Sequence, residues 1–265
     1  MRLNAKLDRV PASRIDGGCE QFSGMQHLRE AGAMDRSSAE LDFSFARFAK
    51  GFDQHIRQSI RGYAELLSDC VSFSEYFVEN KTVVFDIGCS TGAFLGEVWY
   101  KNHARCPQAQ YIGIDIEDSF NSYWRAVELE NVKLQTADIR SFPIPERCSL
   151  VTSVFSLQFI PEAERQKIMD QIYHALLPGG ALIIAEKTLC RLPKLNDMLT
   201  FIHYDFKRQN FTDAEILAKE RSLRSIMKLW SEDQIMNSLV EGGFAPTNVQ
   251  CFWRNHNFAA FIALR

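Results

Sequence analysis

A buried strand that runs into a glycine turn constrains this chain more than any other feature. In the stretch Thr82–Gly92 (TVVFDIGCSTG), β-branched and aromatic residues lead to an acid and then a glycine. Such a junction leaves backbone N–H groups and a helix N-terminus exposed above the strand. Gly88 allows the tight turn, and Gly92 allows the following helix to pack closely. The sequence therefore predicts a ligand-binding loop at the carboxyl end of a buried strand.

The middle of this loop narrows the class of ligand. Dinucleotide-binding loops have glycine at the position of Ser90, because a pyrophosphate needs close approach of the backbone. A nucleoside that carries an amino-acid tail has no such need, and S-adenosylmethionine is a molecule of that kind. A second predicted strand, Tyr111–Asp115, ends in an acid where the ribose hydroxyls of a nucleotide are usually bound. Together the two features predict an S-adenosylmethionine site.

The same loop permits a second interpretation. Residues Gly88–Gly92 also satisfy G-x-S-x-G, the nucleophile elbow of α/β-hydrolases. That enzyme class needs an oxyanion-hole segment of the HGGG kind, which is missing upstream. The acid at Asp115 favours the cofactor loop, and the hydrolase stays as the alternative.

Composition excludes several other classes of function. The net charge of −3 gives no electrostatic reason to bind nucleic acid or an anionic membrane. Seven cysteines lie between Cys19 and Cys251 without a C-x-x-C pair, which is typical of a reducing compartment. The histidines show no metal-ligand spacing, and the longest apolar run, Phe258–Leu264, is too short to cross a bilayer. We expect a cytoplasmic protein with no metal, no membrane contact and no direct nucleic-acid contact.

Strands and helices alternate along most of the chain, which predicts a doubly wound α/β fold with a mostly parallel sheet. A helix is predicted from Pro161 to Leu177, and Pro178-Gly179-Gly180 is expected to stop it and turn the chain. Two final strands form an antiparallel hairpin, which separates class I methyltransferase folds from other Rossmann-like ones. The seven predicted strands are Thr82–Asp86, Tyr111–Asp115, Val132–Thr136, Leu150–Phe155, Ala181–Glu186, Thr247–Trp253 and Ala259–Leu264.

Two segments fall outside this regular pattern. Residues 1–39 lack periodicity and are interpreted as a loosely held extension, with a short lid helix as the alternative; residues 40–265 form the binding domain. About residues 187–229, roughly two helices are inserted, and Lys187–Lys228 contains nine Lys or Arg against five Asp or Glu. This excess is either a solvated helix face or a cap that recognises an anionic substrate through arginine.

The strand ends predict the cofactor site, because ligands of open parallel sheets bind at the carboxyl ends of the strands. Asp115 is expected to accept hydrogen bonds from the ribose, and Asp138 from the adenine amino group, with Ile139 against the ring. The alternative role of Asp115 and of Asp138 is to cap the N-terminus of the helix that follows.

No catalytic residue is assigned, because methyl transfer from a sulfonium needs mainly an aligned nucleophile. The stretch Phe155–Phe159 lacks the Pro-Pro-aromatic motif of base-modifying enzymes.

From about Leu41 to Arg265, the chain resembles the carboxy-S-adenosyl-L-methionine synthase family. The resemblance is carried by short motifs spread over the domain. They are Gly62-Tyr63, Asp86–Ser90, Leu157–Phe159, Glu164–Gln166, Pro178–Leu182, Glu186-Lys187, Asp205–Arg208, Cys251-Phe252 and Asn257-Phe258.

The resemblance implies that S-adenosylmethionine and prephenate become carboxy-S-adenosylmethionine and phenylpyruvate. The cofactor methyl would be deprotonated to a sulfonium ylide that captures carbon dioxide from prephenate, and the protein would be a homodimer. A conventional methyltransferase, or a carboxymethyltransferase, acting on a small anionic acceptor is the alternative, followed by a binding subunit without turnover. The cofactor site expected from the resemblance and the strand ends comprises Tyr63, Asp86, Gly88, Cys89, Ser90, Gly92, Asp115, Ile116, Asp138, Ile139, Val154 and Phe155.

Two positions depart from the family pattern. Val154 stands where the family has an asparagine at the end of the fourth strand. The arginine that would bind the added carboxylate falls in the predicted helix Asp213–Met227, where it matches Arg221 without a gap and Glu220 with a one-residue gap. Arg221 is the expected carboxylate ligand, with Arg208 as a second candidate; Glu220 would repel that group.

Overall fold

The computed structural model describes residues 51–265, so the extension predicted for residues 1–39 lies outside the described part. Eight helices and eight strands are used below. The helices are α1 (Phe52–Ser59), α2 (Tyr63–Phe77), α3 (Ala93–Asn102), α4 (Asn121–Trp124), α5 (Glu162–Ala175), α6 (Pro193–Lys207), α7 (Asp213–Arg224) and α8 (Glu232–Glu241). The strands are β1 (Val83–Ile87), β2 (Gln110–Asp115), β3 (Val132–Thr136), β4 (Cys148–Val154), β5 (Leu176–Leu189), β6 (Trp230–Ser231), β7 (Val249–Asn255) and β8 (Phe258–Leu264).

Seven strands form one sheet in the order β3-β2-β1-β4-β5-β8-β7, and the two-residue β6 pairs with β5. The first five strands of this order are parallel, whereas β8 is antiparallel to both β5 and β7. This confirms the doubly wound, mostly parallel sheet and its C-terminal antiparallel hairpin.

Alternate side chains of the central strands enter two separate cores, so that both faces of the sheet are buried. Phe85 and Val151 belong to a core that includes α5 and α8, whereas Val84 and Leu150 belong to a core that includes α2 and α3. A strand covered on both faces must be apolar on both, which explains the continuous apolar run that leads to Asp86.

The Pro178-Gly179-Gly180 segment corrects one prediction. Helix α5 ends at Ala175 and β5 starts directly at Leu176, so the segment lies inside the strand rather than in a turn before it. The pairing of β5 with β4 shifts register there, and Gly179 has a φ of 83°. Two glycines and a proline are typical of a bulge as well as of a turn, and the sequence does not separate the two.

The strand order reverses between β1 and β4. Strands β2 and β3 lie on one side of β1, and β4 and the following strands of the sheet lie on its other side. The crevice above such a reversal is the usual ligand site of open α/β sheets. Between β5 and β6, helices α6 and α7 occupy the inserted segment. Within residues 51–265, no helix combines the length and the apolar character needed to cross a membrane.

Candidate functional site

A cavity of about 450 Å³ lies at the carboxyl ends of the central strands. This volume is in the range of pockets that hold small molecules and cofactors. Its wall contains eleven of the residues that the sequence predicts to bind the cofactor. They are Tyr63, Asp86, Gly88, Cys89, Ser90, Asp115, Ile116, Asp138, Ile139, Val154 and Phe155.

The glycine loop turns over the end of β1 as a tightly packed unit. Gly88 has a φ of 76°, and a Cβ atom at this position would lie 2.0 Å from Ser156 Oγ. Ser90 also has a positive φ, 46°, and its carbonyl oxygen accepts a hydrogen bond from Trp124 Nε1 at 2.7 Å. The loop therefore presents its backbone to the cavity in one fixed conformation.

Asp115, at the end of β2, holds this loop in place. Its Oδ2 atom accepts from Ser90 N at 2.9 Å, and its Oδ1 atom accepts from Glu117 N at 3.0 Å. Burial raises the pKa of this carboxyl, while the backbone N–H donors act in the opposite direction. Each carboxylate oxygen has a second lone pair, so the group can accept ribose hydroxyls as well.

Asp86, the one acidic residue of β1, is 3% exposed and accepts a hydrogen bond from Thr152 Oγ1 at 2.6 Å. Burial raises its pKa to about 7, against the effect of the Thr152 hydroxyl and with a contribution from Asp115. A carboxyl in this state can accept from, or donate to, a polar group in the cavity near neutral pH.

Asp138 and Ile139 follow β3 at the far side of the cavity. Both oxygens of Asp138 accept from the Arg140 guanidinium, at 2.6 to 3.0 Å, which lowers the pKa of the carboxyl. An adenine amino group would share this carboxylate with Arg140. Ile139 is 7% exposed and belongs to the apolar core beside the cavity.

Aromatic rings form a continuous wall from α2 to the cap. The Tyr63 and Phe155 centroids are 6.1 Å apart, those of Phe155 and Phe258 are 5.7 Å apart, and that of Phe258 lies 5.2 Å from His203. Val154, next to this wall, offers no side-chain hydrogen bond, so the polar contact that asparagine makes possible is absent at this position.

The cap contributes a cationic cluster to the same cavity. Three lysines line it, Lys187 from β5, Lys207 from α6 and Lys219 from α7, together with the carboxylate of Glu220. Lys187 Nζ is 3.7 Å from Glu220 Oε1. Three positive groups against one negative group favour an anionic ligand beside the glycine loop.

Burial also weakens the protonated forms of these bases. Burial, and then the charge of Lys207, lowers the pKa of Lys219 to about 8. The pKa of Lys207 is lowered by burial as well, with Glu220 acting in the opposite direction. An anion bound here would stabilise the ammonium groups and offset the unfavourable burial of their charge.

Three predicted residues do not line the cavity. Gly92 lies behind the loop, where a Cβ atom would be 2.6 Å from Leu134 Cδ1, so it allows α3 to pack rather than a ligand to approach. Arg221 is exposed, and Arg208 is exposed and paired with Asp205 and Asp213. Of the two registers left open by the sequence, the structure brings Glu220 to the cavity and not Arg221.

The sequence prediction missed the cap residues His203, Lys207 and Lys219. Their signal was the helical spacing: His203 and Lys207 are four residues apart and share one face of α6. On α7, Lys219 lies three residues beyond Ile216, which is 2% exposed, and therefore shares its inward face. The count of basic residues indicated a cationic cap, but only this periodicity separates the inward lysines from the outward arginines.

Several motifs of the family resemblance build the support beneath the site. Glu186 accepts from the backbone N–H groups of Leu157 and Gln158 at 3.0 and 3.1 Å. Buried Arg165 donates to the carbonyls of Ile160, Gln158 and Lys228. The network fixes the turn after β4, which forms one wall of the cavity.

Comparison with known proteins identifies the family. The chain is 30% identical over 236 residues to the carboxy-S-adenosyl-L-methionine synthase of Histophilus somni, covering 84% of this chain and 94% of that protein. It is 33% identical to the synthase of Salmonella paratyphi C, covering 84% and 92%. The chain belongs to the carboxy-S-adenosyl-L-methionine synthase family. Residues 84–180 also match the family described as a methyltransferase domain.

Solved structures agree with this fold. An O-methyltransferase family protein from Burkholderia thailandensis superposes with a TM-score of 0.56 at 19% identity, over 83% of this chain and 60% of that chain. Human N-acetylserotonin methyltransferase superposes with a TM-score of 0.53 at 17% identity, over 83% of this chain and 55% of that chain. These superpositions show the methyltransferase fold. Because the chain belongs to the synthase family and matches the methyltransferase domain, the protein is an S-adenosylmethionine-dependent transferase, and the hydrolase interpretation of the loop is abandoned.

Proposed function

We propose that this protein converts S-adenosylmethionine and prephenate to carboxy-S-adenosylmethionine and phenylpyruvate. The observation that carries the proposal is the position of three lysines, Lys187, Lys207 and Lys219, in the cavity that also contains the glycine loop. Prephenate has two carboxylates, and the product cofactor carries one more than S-adenosylmethionine. A cationic cluster beside the cofactor loop suits both molecules.

In this proposal one end of the cavity binds the cofactor and the other end binds prephenate. The loop around Ser90 and the carboxylate of Asp115 would hold the cofactor, which supplies the methyl group to be carboxylated. The lysines would hold prephenate by its carboxylates. The overall reaction balances: the ring of prephenate becomes aromatic by losing carbon dioxide and hydroxide, the cofactor methyl loses a proton and gains the carbon dioxide, and the proton and the hydroxide form one water. A cavity that excludes bulk water would limit loss of the carbon dioxide before capture.

Val154 and Glu220 favour a second candidate function. Val154 is an apolar side chain where the resemblance implies an asparagine, and Glu220 is an acidic side chain at one of the two positions that match the arginine for the added carboxylate. A methyltransferase, or a carboxymethyltransferase, acting on a small anionic acceptor would still use the same loop and lysines. From the resemblance we also propose a cytoplasmic homodimer.

Mass spectrometry separates these candidates. The full chain is incubated with S-adenosylmethionine and prephenate, and both the released cofactor and phenylpyruvate are quantified. A cofactor heavier by one carbon dioxide, formed together with an equal amount of phenylpyruvate, supports the synthase. Carboxylated cofactor that copurifies with the protein, without phenylpyruvate formation, indicates a carboxymethyltransferase instead.

A further inference from the structure

The outer face of α6 carries a stripe of exposed apolar side chains. Four large ones on this helix are between 42% and 63% exposed: Leu195, Met198, Phe201 and Ile202. Single exposed apolar residues are ordinary on a protein surface, whereas contiguous ones mark a surface that contacts a partner. Leu192, just before the helix, is exposed as well and extends this apolar surface.

The buried residues of α6 are polar. They are His203 and Lys207, which line the cavity. At 100° of rotation per residue, Met198 and Phe201 lie on the opposite side of the helix from them. Helix α6 therefore turns large apolar side chains away from the cavity, which is the reverse of the usual amphipathic arrangement.

Charged residues mark both ends of the apolar stripe. Lys194 and Asp205 are exposed and share one side of α6 with Met198 and Phe201, because the steps between the four residues are four, three and four. Lys194 precedes Met198 by as many residues as Asp205 follows Phe201. These four residues, called the outer stripe below, therefore have opposite charges at equal distances from an apolar centre.

The outer stripe is complementary to itself. In an antiparallel pair of α6 helices related by a two-fold axis, Met198 lies opposite Phe201 of the second copy, and Lys194 lies opposite its Asp205. A parallel pair would place like charges against each other at both ends. Asp205 already pairs with Arg208, but a carboxylate has two oxygens and can accept from Lys194 as well.

We infer that the outer stripe is a homodimer interface, in which α6 packs antiparallel against α6 of a second copy of this chain. Burial of Met198 and Phe201 would supply most of the affinity, and the two ion pairs would fix the register. The inference assigns a surface to the proposed homodimer and does not depend on the proposed reaction. Because α6 also brings Lys207 to the cavity, the second copy would hold the cap side of the site in place.

Charge reversal tests the register. Sedimentation velocity of the full chain, over a series of concentrations, gives the dissociation constant of the dimer. Lys194→Glu and Asp205→Lys each replace two attractive contacts by two repulsive ones, and we expect each to raise this constant about tenfold or more. Lys167→Glu reverses a charge at an exposed position of α5 and should leave the constant within about twofold of the original value.

Mixing the two charge variants restores the complementarity. In a dimer of one Lys194→Glu chain with one Asp205→Lys chain, both charged contacts are attractive again. Native mass spectrometry distinguishes this heterodimer from the two homodimers by mass, and we expect the heterodimer to predominate. Variant homodimers as stable as the original dimer, or a mixture without the heterodimer, overturn the inference.

The apolar centre of the outer stripe is tested separately. Phe201→Gln should raise the dissociation constant of the dimer about tenfold or more, since aromatic residues at the centre of an interface carry much of its affinity. Tyr76→Gln, at an exposed aromatic position of α2, is the matched control. Because both side chains are exposed, thermal unfolding of the two variants at concentrations that favour the monomer should match that of the original protein.

The sedimentation data also separate the inference from the homodimer proposal. A dimer that is insensitive to Lys194→Glu, Asp205→Lys and Phe201→Gln overturns the inference only, whereas a monomer at every concentration overturns both. A dimer that appears only after deletion of residues 1–39 would assign the outer stripe to that extension, and likewise overturns the inference.

Discussion

The Nζ atom of Lys187 lies 3.7 Å from Oε1 of Glu220, and both side chains line the cavity with only 13% and 16% of their surface exposed. The pair is a charged contact in the cavity wall rather than a surface ion pair. Because Glu220 is the single carboxylate of the cap cluster, it partly cancels the field that Lys187, Lys207 and Lys219 present to an anion. We therefore expect Glu220 to limit the affinity of the site for dianionic ligands.

Glu220→Gln should bind prephenate more tightly. Removing one repulsive charge near a partly buried anion is worth about 1 kcal/mol, or about fivefold in Kd, at the effective dielectric of such sites. Calorimetric titration of the protein loaded with S-adenosylhomocysteine measures the change. Asp205→Asn removes an equal charge at an exposed position of α6 and serves as the control. Weaker binding by Glu220→Gln would show that its main effect is to position Lys187.

Lys219 should make anion binding depend on pH. Its pKa is lowered to about 8, so the unliganded side chain loses its charge as the pH rises through 8, whereas a bound anion stabilises the ammonium. Among the described residues 51–265, Lys207 lowers this pKa, and His55 and Glu220 line the same cavity as Lys219. The Kd for prephenate is expected to rise up to about tenfold between pH 7 and pH 9.

Lys219→Arg isolates this titration, because a guanidinium remains charged throughout the range. The variant should show a flatter dependence of Kd on pH, measured by calorimetry at constant ionic strength. An undiminished pH dependence in Lys219→Arg would assign the titration to another group.

Asp115→Ala should weaken cofactor binding by about 1–3 kcal/mol, since it removes a carboxylate acceptor of charge-assisted hydrogen bonds. The structure adds a second expected effect: Ser90 N and Glu117 N lose their acceptor, so the loop also becomes less ordered. Calorimetry with S-adenosylhomocysteine measures the affinity, and thermal unfolding measures the structural part. Asp118→Asn, at the exposed position three residues later, is the control. Unchanged affinity in Asp115→Ala would remove this acid from the site.

The sheet and the glycine loop after β1 could be predicted from the sequence, because both depend on local residue patterns. The apolar runs and the acids at Asp86 and Asp115 mark strand ends, and parallel pairing brings strand ends to one edge. Every predicted strand exists: Val132–Thr136 has its predicted bounds, and each of the other strands is shifted by one to five residues at one or both ends. Pro178-Gly179-Gly180 was misplaced because a strand bulge and a turn require the same residue types.

The cap was only partly predictable, because its function depends on which face of each helix turns inward. Arg208 and Arg221 were predicted to bind a carboxylate, because arginine can donate two parallel hydrogen bonds to that group. Both side chains are exposed in the structure. The burial of Lys207, at 5% exposure, depends on packing between α6 and the rest of the domain, which no local pattern of charge reveals. The hydrogen-bonding of Arg165 to three carbonyls is likewise a tertiary property.

Substitution of Gly88 tests whether cofactor binding depends on the backbone conformation of the loop as well as on the carboxylate of Asp115. Gly88→Ala meets two obstacles: a φ of 76°, and a Cβ position 2.0 Å from Ser156 Oγ. Gly179→Ala meets only the first, since its φ is 83° and nothing lies within 4 Å of its Cβ position. The φ penalty alone is about 1–2 kcal/mol, so Gly88→Ala should be destabilised by more than Gly179→Ala in urea unfolding and should also lose cofactor affinity.

The double variant Gly88→Ala with Ser156→Gly separates the two obstacles. Removal of the Ser156 side chain relieves the collision but leaves the φ penalty, so the stability of the double variant should approach that of Gly179→Ala. The coupling energy from this double-mutant cycle measures the packing of the loop against the end of β4, since contacting residues couple by about 0.5–3 kcal/mol. Additive effects of the two substitutions would mean that the loop moves away from Ser156 at little cost, and that its conformation is not fixed by this contact.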